Sequence, residues 1–218
     1  MITSDLFGSA VHPAPRDELL CEGAVVLRGF ALADDAALLQ AIHTIATQAP
    51  FRHLITPGGF RMSVGMTNAG PLGWVSDRRG YRYGPIDPDT GKPWPAMPDV
   101  FQKLATAAAA RAGFSDFVPD ACLVNRYEPG TRLALHQDRN ERDFDQPIVS
   151  VSLGIPAVFL FGGMQRTDRT MRVPLAHGDV VVWGGPARLR YHGVLPLKPN
   201  HHAALGECRI NLTLRRAG

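Results

Sequence analysis

Arg132-Leu133-Ala134-Leu135-His136-Gln137-Asp138 alternates with the period of a β-strand. In that conformation His136 and Asp138 share one face, and Leu133 and Leu135 share the other. An imidazole and a carboxylate on neighbouring same-face positions are two members of a 2-His-1-carboxylate triad. That ligand set leaves coordination positions open on non-heme Fe(II). Alone the pattern is weak. The chain has eight His and, after subtracting its five Glu from 20 acidic residues, fifteen Asp. Chance would then place roughly half an H-x-D in 218 residues. Its weight comes from two later residues, His192 and Arg209.

The sequence around this stretch reads as short strands joined by turns, over 122–128, 132–138, 148–153, 157–161, 171–176, 179–184, 188–194 and 208–215. Eight strands at this spacing predict a sandwich or jelly roll. Upstream, residues 23–30 read as a short buried strand. Asp34 and Asp35 then open a helix to about Gln48, whose apolar stripe is Leu38, Leu39, Ile42, Ile45 and Ala46. A second helix spans 99–112, with Asp99 as its cap, Phe101, Leu104 and Ala108 on its apolar face, and Gly113 as its stop. The chain is expected to be one α+β, mainly β domain over residues 1–218, with a core at about 120–216.

Composition narrows the class. The hydrophobic fraction of 45% and charged fraction of 20% are ordinary for a soluble domain. Abundant Gly (22) and Pro (18) favour turns over a helical bundle. No apolar run approaches the roughly 18 residues that span a bilayer, and residues 1–15 lack a signal-peptide pattern. Cys21, Cys122 and Cys208 are far apart and form no C-x-x-C, which points to reduced thiols and a cytoplasmic location. Net charge is +3, and 20 of the 23 basic residues are Arg, since only Lys92, Lys103 and Lys198 are lysines. Arg suits phosphate and base contacts, but a coding bias toward Arg explains the ratio equally well.

Residues 51–98 differ in character. Periodicity is poor there apart from a hairpin around Thr56-Pro57-Gly58-Gly59-Phe60, and Asp87 to Pro93 is turn. A long unstructured segment within a compact domain is usually a lid or binding loop. Met66, Trp74, Tyr81, Tyr83 and Trp94 alternate here with Arg61, Arg78, Arg79 and Arg82. Rings among guanidiniums suit stacked bases and phosphates. Each ring taken singly could as well anchor the loop on the core.

Downstream, His192 lies 54 residues after Asp138 at the end of a predicted strand, close enough in a jelly roll to meet the H-x-D. The last strand places Arg209, Asn211, Thr213 and Arg215 on one face, with Ile210 and Leu212 behind. Two guanidiniums lining a barrel could clamp a dicarboxylate. Asn125 and Tyr127 share a face and could donate to the same ligand.

The order His136-x-Asp138, His192, Arg209, together with Thr56-Pro57-Gly58-Gly59, Asp120 to Tyr127, His177 to Gly185 and Arg209-x-Asn211-Leu212-Thr213-x-Arg215, resembles the AlkB family of Fe(II)- and 2-oxoglutarate-dependent dioxygenases over about residues 20–217. The resemblance implies a double-stranded β-helix (jelly roll) with two N-terminal helices and a nucleotide-recognition lid at about 51–98. It implies Fe(II) on His136, Asp138 and His192, with 2-oxoglutarate and O2 as co-substrates. Arg209, helped by Asn125 and Tyr127, would take the distal carboxylate of 2-oxoglutarate, and Asn211 and Arg215 would bind near its other end. Met66, Trp74 and Tyr81 would contact the damaged nucleotide, and Arg166 the base or its phosphate. The implied activity is oxidative demethylation of alkylated bases in single-stranded DNA or RNA by a monomer that does not touch membranes.

One departure stands out. Where the family carries a basic and then an acidic residue after His-x-Asp, this chain has Arg139 and Asn140. An amide brings no negative charge to a cationic methylated base, so base preference is expected to shift. Two rival readings share the same core: a related dioxygenase acting on modified RNA or protein, and a non-catalytic nucleic-acid-binding jelly roll.

Overall fold

Side-chain alternation along the last strand divides the molecule into layers. Ile210, Leu212 and Leu214 enter one apolar cluster, while Arg209, Asn211, Thr213 and Arg215 line a cavity on the opposite face. The structure, a computed structural model, describes residues 16–218. The reading of residues 1–15 as free of a targeting signal lies outside the described residues.

In chain order the elements are β1 (Asp17–Cys21), β2 (Ala24–Leu27), α1 (Asp35–Gln48), β3 (Gly65–Ala69), β4 (Gly73–Asp77), β5 (Gly80–Gly84), α2 (Asp99–Arg111), β6 (Ala121–Tyr127), β7 (Leu133–His136), β8 (Ile148–Gly154), β9 (Ala157–Phe161), β10 (Met171–Leu175), β11 (Val180–Trp183), β12 (His192–Val194) and β13 (Arg209–Arg215). A seven-stranded antiparallel sheet runs β1-β2-β11-β8-β13-β6-β3, a four-stranded one runs β10-β9-β12-β7, and β4-β5 form a separate hairpin.

The two helices cover the outer face of the large sheet. Leu38, Ile42 and Ile45 of α1 and Phe101, Leu104 and Ala108 of α2 pack on Val149, Val151, Val180, Val182 and Leu212. A second cluster joins the sheets, with Ile148, Val181 and Trp183 from the large sheet and Phe159, Phe161, Val173 and Val194 from the small one. Fully burying each such side chain is worth about 1.5–3 kcal/mol. These two clusters hold the layers in place around the cavity. No helix among the described residues is long and apolar enough to cross a membrane.

Each of the eight strands expected after Cys122 is present, and Thr56–Phe60 turns as expected, with the Thr56 amide donating to the Phe60 carbonyl. Several details differ. The strand expected over 132–138 ends at His136, and Asp138 lies beyond the ladder. The strand expected over 188–194 shrinks to His192–Val194, because a 3-10 turn at Gly185–Ala187 and the bends after it occupy the preceding residues. The first helix opens as expected, at Asp35 with Asp34 as its N-cap, whereas the N-cap of α2 is Pro98 and Asp99 is its first helical residue; neither cap residue makes a side-chain bond.

Residues 51–98 are not structureless. β3 pairs with β6 as part of the large sheet, and β4-β5 are fully paired. All five residues of β3 are buried, so it lacks the alternation that reveals a half-buried strand. In β4-β5 the polar and glycine-rich turn hides a period of two. β1 was missed because it opens on Asp17 and Glu18.

Candidate active site

The small sheet brings the two histidines together. β12 lies between β7 and β9, and His192 pairs directly with His136. Gly193 permits that approach: a Cβ there would sit 2.7 Å from the Leu133 carbonyl oxygen. Trp183 packs against the His192 ring at 4.9 Å between centroids.

Backbone carbonyls then fix both rings. His136 Nδ1 lies 2.8 Å from the Ala134 oxygen and His192 Nδ1 lies 2.9 Å from the Arg190 oxygen. A carbonyl only accepts, so each Nδ1 carries the proton and each Nε2 keeps its lone pair. Those Nε2 atoms lie 3.8 Å and 3.6 Å from the Asp138 oxygens. One ligand atom from each of His136, Asp138 and His192 falls within 4.8 Å of the others.

The charges suit a divalent cation. Burial, reinforced by the neighbouring His192, lowers the pKa of His136 to about 4, so this imidazole is neutral at neutral pH. Burial opposes ionisation of Asp138, but the Arg215 charge and His192 hold its carboxyl well below the usual range. Arg215 makes the contact itself, donating from Nε at 3.0 Å and from Nη2 at 2.6 Å to one Asp138 oxygen. Two imidazole nitrogens and one carboxylate are the donor set of non-heme Fe(II) sites.

Next to these three residues, one buried cation is short of partners. Arg209 is 2% exposed and lies over the Tyr127 ring at 5.0 Å, and its Nη2 donates to Ser152 Oγ at 2.9 Å. Its Nε and Nη1 are buried with no hydrogen-bond partner, as is Asn125 Oδ1. A buried guanidinium left in this state is costly unless an anion completes it. A ligand carboxylate fits that need by a forked pair of bonds. Asn211 is committed elsewhere, donating to Ser150 Oγ at 2.8 Å and to the Val151 carbonyl at 2.9 Å. These residues could thus hold both a metal ion and a carboxylate co-substrate.

The same cavity, about 680 Å³, is lined by every residue expected at the site: His136, Asp138, His192, Asn125, Tyr127, Arg209, Asn211, Arg215, Met66, Trp74, Tyr81, Arg139, Asn140 and Arg166. Trp74 and Tyr81 stack with centroids 5.4 Å apart and planes 12° apart. The Trp74 indole N–H donates to Asn140 Oδ1 at 3.2 Å, which ties the β4-β5 hairpin to the segment after Asp138. Asn68 holds the backbone of Trp74 from both sides at 3.0 Å.

Sequence reasoning missed Ser150 and Ser152, although Val149-Ser150-Val151-Ser152-Leu153 alternates plainly and puts both hydroxyls on the cavity side. It also missed Glu141 and Arg188. Nothing local marks those two, because their role arises only from tertiary pairing.

Comparisons with known proteins agree with this geometry. Residues 23–215 match the family model of the 2OG-Fe(II) oxygenase superfamily. The alpha-ketoglutarate-dependent dioxygenase AlkB of Escherichia coli is 56% identical, covering 98% of this chain and 98% of its own length. Human nucleic acid dioxygenase ALKBH1 is 37% identical over 44% of this chain and 25% of its own length. The solved structure of OsALKBH1 superposes with a TM-score of 0.78 at 30% identity, covering 92% of this chain and all of that one. With the paired histidines, the acidic third ligand and an unpartnered arginine in one cavity, the chain belongs to the 2OG-Fe(II) oxygenase superfamily and is an Fe(II)- and 2-oxoglutarate-dependent dioxygenase.

Proposed function

We propose that the chain is an oxidative demethylase of N-alkylated bases, 1-methyladenine and 3-methylcytosine, in single-stranded DNA, with RNA as a second substrate class. In this reading it acts as a cytoplasmic monomer, a single jelly-roll (double-stranded β-helix) domain with residues 51–98 as a nucleotide-recognition lid over the core at 120–216. The observation that carries the proposal is the stacked Trp74–Tyr81 pair in the wall of the cavity that also holds His136, Asp138 and His192.

In this reading His136, Asp138 and His192 hold Fe(II). Arg209, with Asn125 and Tyr127 beside it, takes the distal carboxylate of 2-oxoglutarate, and Asn211 and Arg215 shape the opposite end. When bound there with its co-substrates, Fe(II) supplies oxidation of an N-methyl group, coupled to decarboxylation of 2-oxoglutarate to succinate, and the oxidised methyl leaves as formaldehyde. The protein's part is orientation and a dry pocket. The target base must leave its stack to reach the cavity floor, which favours single strands or a flipped nucleotide. Trp74 and Tyr81 offer it a ring surface, Met66 an apolar floor, and Arg139 and Arg166 offer charge to the phosphates. That the human relative is a nucleic acid dioxygenase supports the substrate class.

Asn140 is the point at which this chain departs. Its Oδ1 accepts from Trp74, so its amide N–H groups are what remains to meet a base. An oligonucleotide-binding assay under nitrogen tests the reading. Metal-loaded protein should bind a single strand bearing 3-methylcytosine more tightly than its unmethylated copy. Equal affinity for both would contradict it.

A further inference from the structure

A second set of contacts surrounds Asp138, and the chemistry above does not use it. Glu141 is the only buried glutamate among the described residues, with its side chain 1% exposed. Its Oε2 lies 3.1 Å from Arg188 Nη2, and its Oε1 lies 3.4 Å from Arg215 Nε. Arg215 grips the Asp138 side chain, while Arg188 Nη1 donates to the Asp138 backbone carbonyl at 2.8 Å. Both ends of Asp138 are therefore held by guanidiniums, and Glu141 sits between those two guanidiniums. Two cations and two carboxylates balance, which is how charge of this density survives burial.

The carboxylate at the centre is not saturated. Oε2 is paired in charge with Arg188 but has no aligned hydrogen bond. The aligned donor to Glu141 is the Tyr83 hydroxyl, 2.7 Å from Oε1. Tyr83 lies in β5, two residues from Tyr81, and pairs across the hairpin with Trp74. The lid hairpin thus reaches the candidate metal ligand through three consecutive polar contacts, Tyr83 to Glu141, Glu141 to Arg215, and Arg215 to Asp138.

We propose that Tyr83 and Glu141 are positioning residues that set the orientation of Asp138 toward the metal. The proposal rests on the reading of His136, Asp138 and His192 as the metal ligands. Without the hydroxyl, Glu141 swings toward Arg188, Arg215 loses its second anchor, and the Asp138 carboxylate gains rotational freedom. The Tyr83 ring by itself supplies only packing, so Tyr83→Phe separates the two roles.

The test is titration of the full chain with Co(II), read by its visible absorption. Tyr83→Phe and Glu141→Gln should each weaken Co(II) binding on the order of 10-fold, as changes in groups that orient metal ligands do. Each should also alter the absorption bands. Arg82→Ala, which removes the exposed Asp77 pair and a long bond to the Gly80 carbonyl at the hairpin turn, should keep the unmodified protein's affinity and spectrum. Folded Tyr83→Phe protein with unchanged affinity and bands would overturn the proposal. So would an equal loss in Arg82→Ala, which would mean general loosening of the hairpin. Should Tyr83→Phe fail to fold, Glu141→Gln decides by the same two readouts. Unmodified protein that takes up no Co(II) would remove the metal-site reading and this proposal together, a result distinct from an unresponsive Tyr83 variant.

Discussion

His136 and His192 face one another across the β7–β12 ladder, with ring centroids 4.4 Å apart. The pairing joins residues 56 positions apart through backbone register alone, and the register depends on the residue after His192. A methyl group at Gly193 would meet the Leu133 carbonyl oxygen at 2.7 Å. That neighbour is backbone and cannot step aside. Gly193→Ala should therefore push β12 off β7 and weaken Co(II) or Mn(II) binding by at least about 10-fold, in line with other disturbances of ligand orientation. Metal titration of the folded variant checks this, and full affinity would show that the ladder does not set the histidine spacing.

Arg209 should govern the co-substrate and leave the nucleic acid alone. Its Nε and Nη1 are buried without partners, so Arg209→Ala removes the group with the greatest need of an anion. The expected result is a rise in the KM for 2-oxoglutarate of 10-fold or more, from loss of charge-assisted bonds worth roughly 1.5–3 kcal/mol. The KM for the oligonucleotide should stay within about twofold on the same grounds. The reverse pattern in a two-substrate titration would reassign the residue.

Trp74 carries the opposite expectation. Trp74→Ala removes the stacking surface and the bond to Asn140, and should cost methylated-strand binding on the order of 1–3 kcal/mol. Metal affinity should not change, because Trp74 touches neither histidine. Fluorescence anisotropy on the metal-loaded protein reads the first quantity. Unchanged affinity would return Trp74 to packing the lid.

Acid should destabilise the metal-free protein in part through His136. Burial lowers its pKa from 6.5 to about 4 in the folded state. Between those values the unfolded chain binds the proton and the folded one does not. Its contribution to stability is therefore complete above about 6.5 and is lost as pH falls toward 4. Thermal unfolding of metal-free protein should show a Tm drop from pH 7 to pH 5 that is smaller in His136→Gln. Identical slopes in the two proteins would contradict the assignment.

The readability of the sequence followed the physics of each element. β13 was legible because Arg209, Asn211, Thr213 and Arg215 alternate strictly with Ile210, Leu212 and Leu214, and one face is polar while the other is core. The same held for Asn125 and Tyr127 on β6. β3 was not legible, since Gly65 to Ala69 is buried on both faces and shows no period. Alternation along one strand predicts Asp138 beside His136, but the strand stops at His136, and Arg215 and Arg188 hold Asp138 in place instead. Arg188 lies 50 residues away and Arg215 77, and no local pattern records such pairings. The candidate metal and co-substrate residues are legible as motif, whereas Glu141 and the two serines become visible only once the sheets are assembled.

The most direct test of the account follows formaldehyde and succinate separately while the chain acts on a single-stranded oligonucleotide bearing 3-methylcytosine, with Fe(II) and 2-oxoglutarate loaded under nitrogen before oxygen is admitted. Matched amounts of both products are expected, each abolished by omitting Fe(II) or 2-oxoglutarate and by His136→Ala. Formaldehyde absent from iron-loaded, folded protein, with or without succinate, would contradict demethylation of this base.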